Sequence, residues 1–104
     1  HILIVENNGA IANMQDDAMV EVVCELGING PRPMRVGNIP QFNLGLLVNQ
    51  VSCEKLIVDA YFENSYQKAL EAFTLNRLIN DAKKARKVLD ALIEANKGMW
   101  PELR

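Results

Sequence analysis

Short apolar runs occupy the first third of the chain and predict β-strands. Residues 2–5 (Ile-Leu-Ile-Val) form a continuous apolar run, and residues 19–24 (Met-Val-Glu-Val-Val-Cys) are rich in β-branched side chains. Because successive strand residues point to opposite faces, Glu21 is expected to face away from Val20 and Val22. Two strands are therefore predicted, with Glu21 on the outer side of the second.

Residues that tolerate turns separate and follow these strands. Asn7-Asn8-Gly9 and Asp16-Asp17 each predict a turn. Residues 27–33 contain several glycines and prolines and are predicted to break regular structure. Residues 34–36 (Met-Arg-Val) are predicted to form a short edge strand, because a proline such as Pro33 is tolerated at the start of one.

From residue 40 onward, apolar residues recur with helical spacing and predict three helices. The first is expected at residues 40–63, roughly 36 Å at 1.5 Å per residue. The second begins at Asn64 or Ser65, with Gln67 completing a capping box. Asp81 caps the third, which Gly98 and Pro101 end. The residues expected to face the core are Leu44, Leu47, Val51, Leu56, Ile57, Val58, Tyr61 and Phe62 in the first helix, Tyr66, Ala69, Leu70 and Phe73 in the second, and Ala82, Ala85, Val88, Leu89, Leu92 and Ile93 in the third.

Composition narrows the classes of function. The chain has 104 residues, 49% of them hydrophobic, and a formal net charge of −2 from 11 basic and 13 acidic residues. A mildly acidic domain is a poor nucleic-acid binder, and no apolar run approaches the roughly 20 residues that span a bilayer. We expect one α+β domain, with short N-terminal strands, a long helix and two further helices. Because the chain opens at His1 directly into a strand, we interpret it as a fragment of a longer protein.

Few residues are candidates for catalysis or metal binding. His1 is the only histidine, and Cys24 and Cys53 lie far apart in the sequence, so no metal-ligand set is apparent. The two thiols are interpreted as structural and reduced. No glycine-rich phosphate loop and no GxSxG motif occurs. The basic residues between 77 and 87 are interpreted as a solvated helix face, since no aromatic residue lies among them.

The most function-like local feature is Asn7-Asn8-Gly9. Two amides at the end of a strand, beside a glycine, suit hydrogen bonding to a polar ligand or to another loop. The alternative is a turn in which these residues serve only the backbone. Asn7 and Asn8 are therefore the candidate substrate-binding residues of this chain.

Several further motifs occur in a fixed order along the chain. They are Asn-Asn-Gly-Ala-Ile-Ala-Asn at 7–13, Val-Glu-Val at 20–22, Gly-Asn-Ile-Pro at 37–40, Glu-Lys-Leu at 54–56 with Val58 and Ala60, Ser-Tyr-Gln-Lys-Ala-Leu at 65–70, Leu-Ile-Glu-Ala-Asn-Lys at 92–97 and Trp-Pro-Glu-Leu at 100–103. This ordered set resembles the C-terminal domain of glycoside hydrolase family 4, in its 6-phospho-α-glucosidase (maltose-6'-phosphate glucosidase) branch. The resemblance covers essentially the whole chain, and the closing motifs are the most similar to that branch.

The resemblance implies a domain similar in fold to the C-terminal domains of lactate and malate dehydrogenases. It implies that the whole enzyme binds NAD on an N-terminal Rossmann domain and needs a divalent metal, usually Mn²⁺. The implied reaction is redox elimination: NAD takes hydride from C3 of the sugar, a tyrosine base removes the C2 proton, and the aglycone departs. Water then adds, and the hydride returns to the sugar. This differs from the two-carboxylate scheme of most glycosidases.

The family's catalytic, cofactor-binding and metal-binding residues precede His1, so the resemblance places none of them in this chain. Residues 1–104 are accordingly predicted to be a C-terminal domain fragment that lacks the Rossmann domain and is inactive alone. The whole protein is expected to act in the cytoplasm on phosphorylated disaccharides such as maltose 6'-phosphate. It is expected to be a homo-oligomer without nucleic-acid or membrane partners. Two alternatives stay open: the C-terminal domain of a 2-hydroxyacid dehydrogenase, and a non-enzymatic helical interaction module.

Overall fold

A computed structural model describes all of residues 1–104 and confirms the α+β class. A three-stranded antiparallel sheet is followed by three helices. The strands are β1 (Ile2–Glu6), β2 (Met19–Gly27) and β3 (Gly30–Pro33), and the helices are α1 (Gln41–Glu63), α2 (Tyr66–Leu75) and α3 (Ala82–Ala95). None of these helices is both long and apolar enough to cross a membrane.

Strand β2 lies at the centre of the sheet, between β1 and β3. Its pairing with β1 places Ile2 opposite Val23 and Glu6 opposite Met19. Alternate residues of β2 (Val20, Val22 and Cys24) are buried on one face of the sheet, whereas Glu21 is exposed on the other. The predicted orientation of Glu21 is confirmed, and so is the turn at 16–17.

The third strand is Gly30–Pro33, so the prediction of an edge strand at residues 34–36 was wrong. The turn between β2 and β3 falls at residues 28–29, and Gly30 completes it with a φ of 95°. Met34 N–H donates to the Val23 carbonyl at 2.9 Å. In an antiparallel ladder, hydrogen-bonded and non-hydrogen-bonded residue pairs alternate. Pro31 and Pro33 occupy non-hydrogen-bonded positions, where the backbone nitrogen faces away from β2, so no hydrogen bond to β2 is lost. The two prolines therefore suit an edge strand.

Helix α1 matches its predicted range, but its predicted apolar face is only partly buried. Val51, Cys53 and Ala60 are its buried residues. Val58 and Phe62 of the predicted face are 53% and 77% exposed. The apolar spacing therefore identified a helix without identifying which of its faces the chain covers.

The two shorter helices begin at side-chain caps. Of the two predicted alternatives, Ser65 caps α2: its Oγ accepts the Lys68 N–H at 3.2 Å, whereas Gln67 bonds instead to Glu71. Asp81 caps α3, as predicted, by accepting the N–H groups of two residues of the first turn at 2.8 and 2.9 Å. The Lys84 N–H is the main cause that holds the pKa of Asp81 below its ordinary value.

The chain forms two compact units, His1–Val48 and Asn49–Arg104. In the second unit α2 packs against α3, and small residues allow a close approach. The buried centre is Ala60, Ala69 and Leu89, against which Ile57, Tyr66, Leu70, Phe73, Ile93 and Leu103 pack. The predicted inner face of α2 is confirmed, whereas Val88 and Leu92 of the predicted α3 stripe are 40% and 44% exposed. The prediction that residues 1–104 form one domain fragment stays a prediction.

Candidate functional site

The side chain of Asn7 is fully buried at the end of β1, and its polar atoms are satisfied. Its Nδ2 lies 3.0 Å from the carbonyl oxygen of Ile11 and 3.1 Å from those of Met14 and Gln15. Its Oδ1 accepts the Ile11 N–H at 2.7 Å. One amide therefore satisfies backbone groups that no strand or helix partner reaches.

Backbone hydrogen bonds close the same segment, residues 7–18, which we call the Asn7 loop. Asn7 N–H donates to the Ala18 carbonyl at 2.8 Å, and Asn8 N–H donates to the Asp16 carbonyl at 2.9 Å. Asn8 and Gly9 have φ values of 41° and 81°. These left-handed conformations favour Asn and Gly, so the local sequence fits the turn that starts the loop.

A second asparagine ties the Asn7 loop to the segment before α1. Asn13 Nδ2 donates to the Ile39 carbonyl at 2.9 Å, and Asn13 Oδ1 accepts the Ile39 N–H at 3.0 Å. The Ile11–Gly37 bridge reinforces this connection. We did not single out Asn13 from the sequence. The only sequence feature that could have indicated this role is that Asn13 is polar and lies beside the apolar positions 10, 11 and 14, all of which are buried.

The structure separates the two candidate substrate-binding residues. Asn7 is inside the loop, where it fixes the backbone, whereas Asn8 is exposed. Asn8 Nδ2 donates to the Glu6 carboxylate at 3.2 Å on the surface. A surface hydrogen bond of this kind exchanges readily with a ligand or water. Of the two candidate residues, only Asn8 therefore presents an accessible side-chain amide. The substrate-binding role of both residues stays a prediction.

The His, Cys, Asp and Glu side chains of this chain are too dispersed to hold a metal ion together. No group of three or more His, Cys, Asp or Glu side chains is close enough to hold a metal ion. Cys24 and Cys53 are both free and buried, as predicted, and belong to different units. Burial raises the pKa of the Cys53 thiol, which disfavours the thiolate form that binds metals.

The second unit contains an apolar cleft of about 250 Å³. Nearby, the Tyr66 hydroxyl donates to Asp90 at 2.7 Å, and this hydrogen bond raises the pKa of Tyr66. A phenol held protonated in this way does not serve as a base at neutral pH. The residues that line the cleft are Ile57, Ala69, Phe73, Leu89, Leu92, Ile93, Asn96, Trp100 and Leu103.

The comparison with known families agrees with the motif order of the sequence. A profile of the family 4 glycosyl hydrolase C-terminal domain matches residues 1–79. The match begins at β1 and includes the whole Asn7 loop, α1 and α2. It confirms the resemblance to that family inferred from the ordered motifs.

Individual relatives extend the match to nearly the whole chain. Maltose-6'-phosphate glucosidase of Bacillus subtilis is 56% identical over 98% of this chain, which covers 23% of that protein. A probable 6-phospho-beta-glucosidase of the same organism is 40% identical over 92% of this chain, which covers 22% of it. A crystal structure of a 6-phospho-alpha-glucosidase from gut microorganisms, in complex with NAD and Mn²⁺, has 83% identity and a TM-score of 0.97 over 100% of this chain and 24% of its own. The chain thus spans about a quarter of the length of these relatives.

Replacing Asn7 is expected to loosen the first unit. Asn7→Ala should lower the free energy of opening of this unit by about 2–3 kcal/mol, because three carbonyl groups lose the Asn7 donor and the Ile11 N–H loses its acceptor. Asn7→Asp should be at least as damaging at pH 7, since a carboxylate repels the three carbonyl oxygens. Hydrogen exchange of the β1 and β2 amides measures this opening.

The matched control for Asn7 is Asn8→Gly, which removes a neighbouring exposed amide and keeps the left-handed backbone. It should change the opening free energy by less than about 0.5 kcal/mol. Equal effects of Asn7→Ala and Asn8→Gly would contradict the role of Asn7 in holding the loop.

Proposed function

Since this chain belongs to the family 4 glycosyl hydrolases, in which it is a C-terminal domain, we propose that the whole protein is a 6-phospho-α-glucosidase. Its substrates are phosphorylated disaccharides such as maltose 6'-phosphate, and it acts in the cytoplasm. The observation that carries this proposal is the higher identity to the α-glucosidase than to the β-glucosidase relative. That difference extends over nearly the whole chain.

We propose further that the whole enzyme requires NAD and a divalent metal ion, with Mn²⁺ preferred, for a redox-elimination reaction. The solved relative that contains NAD and Mn²⁺ supports this requirement. We place the groups that bind both cofactors outside these 104 residues; for the metal ion, the support is that His1, Cys24 and Cys53 form no ligand set here. The isolated chain is accordingly inactive.

Within that enzyme, we propose that residues 1–104 shape one wall of the sugar-phosphate cleft. The Asn7 loop is the element that supports this role, because its backbone is fixed from within and from the segment before α1. Asn7 positions the loop, and the exposed amide of Asn8 hydrogen-bonds the substrate. A loop pre-ordered in this way loses less conformational entropy when it binds a polar ligand.

Release of p-nitrophenol from p-nitrophenyl α-glucoside 6-phosphate tests the activity of the full-length protein. We expect release only when both NAD and Mn²⁺ are added, and no turnover by the 104-residue chain alone. Redox elimination in ²H₂O should place deuterium at C2 of the sugar product, whereas direct displacement by water leaves C2 undeuterated.

No release under any cofactor combination would contradict the glucosidase proposal. Net oxidation of a 2-hydroxyacid by the full-length protein would favour the dehydrogenase alternative. Turnover by the isolated chain would contradict its purely structural role.

The role of Asn8 is tested by kinetics of the full-length Asn8→Gly variant. Loss of a binding contact made equally in the ground state and the transition state should raise KM about tenfold and leave kcat nearly unchanged. Asn29→Gly is the matched control, because Asn29 is also exposed and also precedes a glycine. An unchanged KM for Asn8→Gly would remove Asn8 from the substrate-binding surface.

We also propose that the whole enzyme is a homo-oligomer. The support is the exposed apolar surface of α1, where Val58 and Phe62 lie open to solvent. Light scattering of the full-length protein should give a multiple of the protomer mass. A single-protomer mass at high concentration would contradict the proposal.

A further inference from the structure

The outer edge of β1 is a row of unpaired backbone groups. Cys24 N–H donates to the His1 carbonyl at 2.7 Å, so the odd-numbered residues of β1 hydrogen-bond to β2. The N–H and C=O groups of Ile2, Ile4 and Glu6 therefore point to the other side. The sheet has no further strand there, because β1 is the first strand in the order β1-β2-β3.

The two edges of this sheet differ in their protection against further pairing. On the β3 edge, Pro31 and Pro33 remove two N–H donors, and Arg32 adds a charge. Strand β1 reads Ile-Leu-Ile-Val-Glu and has no proline, lysine or bulge. Proteins protect or cover their exposed strand edges. Of the two edges, the β1 edge is therefore the one on which we expect a covering element.

One face of the sheet beside this edge is exposed and apolar except for Glu6 and Glu21. Ile2 and Ile4 are 66% and 69% exposed, and the neighbouring Met19 and Val23 of β2 are 54% and 48% exposed. The register places Ile2 opposite Val23, so these side chains share one face. The exposed edge of β1 and this exposed face adjoin each other. Together they form a surface on which another structural element can pack.

Charge on this face disfavours one of the possible occupants. Glu21 stands opposite Ile4, and Glu6 ends the same face of β1. A second copy packed face to face on this surface would bury four carboxylates in one apolar interface, which is unfavourable. The family relationship supplies another occupant, because this chain covers only 24% of the 83%-identical relative.

We propose that a β-strand from the same polypeptide, outside these 104 residues, pairs with the outer edge of β1. Its apolar side chains lie beside Ile2 and Ile4 on the exposed face of the sheet. This inference rests on the part of the proposed function that makes the chain one domain of a longer protein. It does not depend on the substrate or on the cofactors.

Hydrogen exchange in the full-length protein, resolved to single amides, tests the pairing. The Ile4 and Glu6 amides should exchange within about tenfold of the Leu3 and Val5 amides, which already bond to β2. Exchange as fast as that of the exposed turn amides at 28–29 would overturn the proposal. The result is independent of glucosidase activity, so a failure of one proposal is distinguishable from a failure of the other.

Photo-crosslinking identifies the occupant. The photoreactive residue p-benzoylphenylalanine replaces Ile4 in the full-length protein, with the same replacement at the exposed hairpin residue Ile28 as control. A link within one polypeptide, from position 4 to a segment outside these 104 residues, supports the proposal. Links between two copies, links only within residues 1–104, or the same segment captured from position 28 would overturn it.

Discussion

The buried amide of Asn7 is the interaction on which the first unit depends. Residues 7–18 connect two paired strands but contain no regular structure, so their backbone polar groups need other partners. Asn7 supplies donors to three carbonyl groups and an acceptor to one N–H while it is itself completely buried. Together with the backbone hydrogen bonds that close the loop, this side chain holds the conformation in which Asn8 is exposed.

The second unit is stabilised in a different way, by helix caps and small residues. Ser65 and Asp81 begin α2 and α3, and Ala60 and Ala69 leave room for close helix packing around Leu89. The C-terminal tail completes this unit through backbone bonds between Arg104 and residues 64 and 66. Here the structure is determined by local sequence and by apolar contact, with no buried polar network comparable to that of Asn7.

The chain combines an ordered polar loop with apolar surface that it does not cover itself. The loop exposes Asn8, and the uncovered surface includes the outer face of β1 and part of α1. Metal-ligand clusters are absent from these residues, and the Tyr66 hydroxyl is engaged with Asp90. The ordered loop and the uncovered apolar surface fit the proposal that the domain shapes one wall of a larger site.

The sequence by itself determined the elements whose causes are local. Helical spacing and caps located α1, α2 and α3, alternation oriented Glu21, and the ordered motifs identified the family. Only the tertiary structure decided that β3 precedes residue 34 and that Asn7 is buried while Asn8 is exposed. The reason is that strand register and burial follow from which groups pair in space, as Asn7 pairs with the carbonyl groups of Ile11, Met14 and Gln15, and the types of the residues do not specify that pairing.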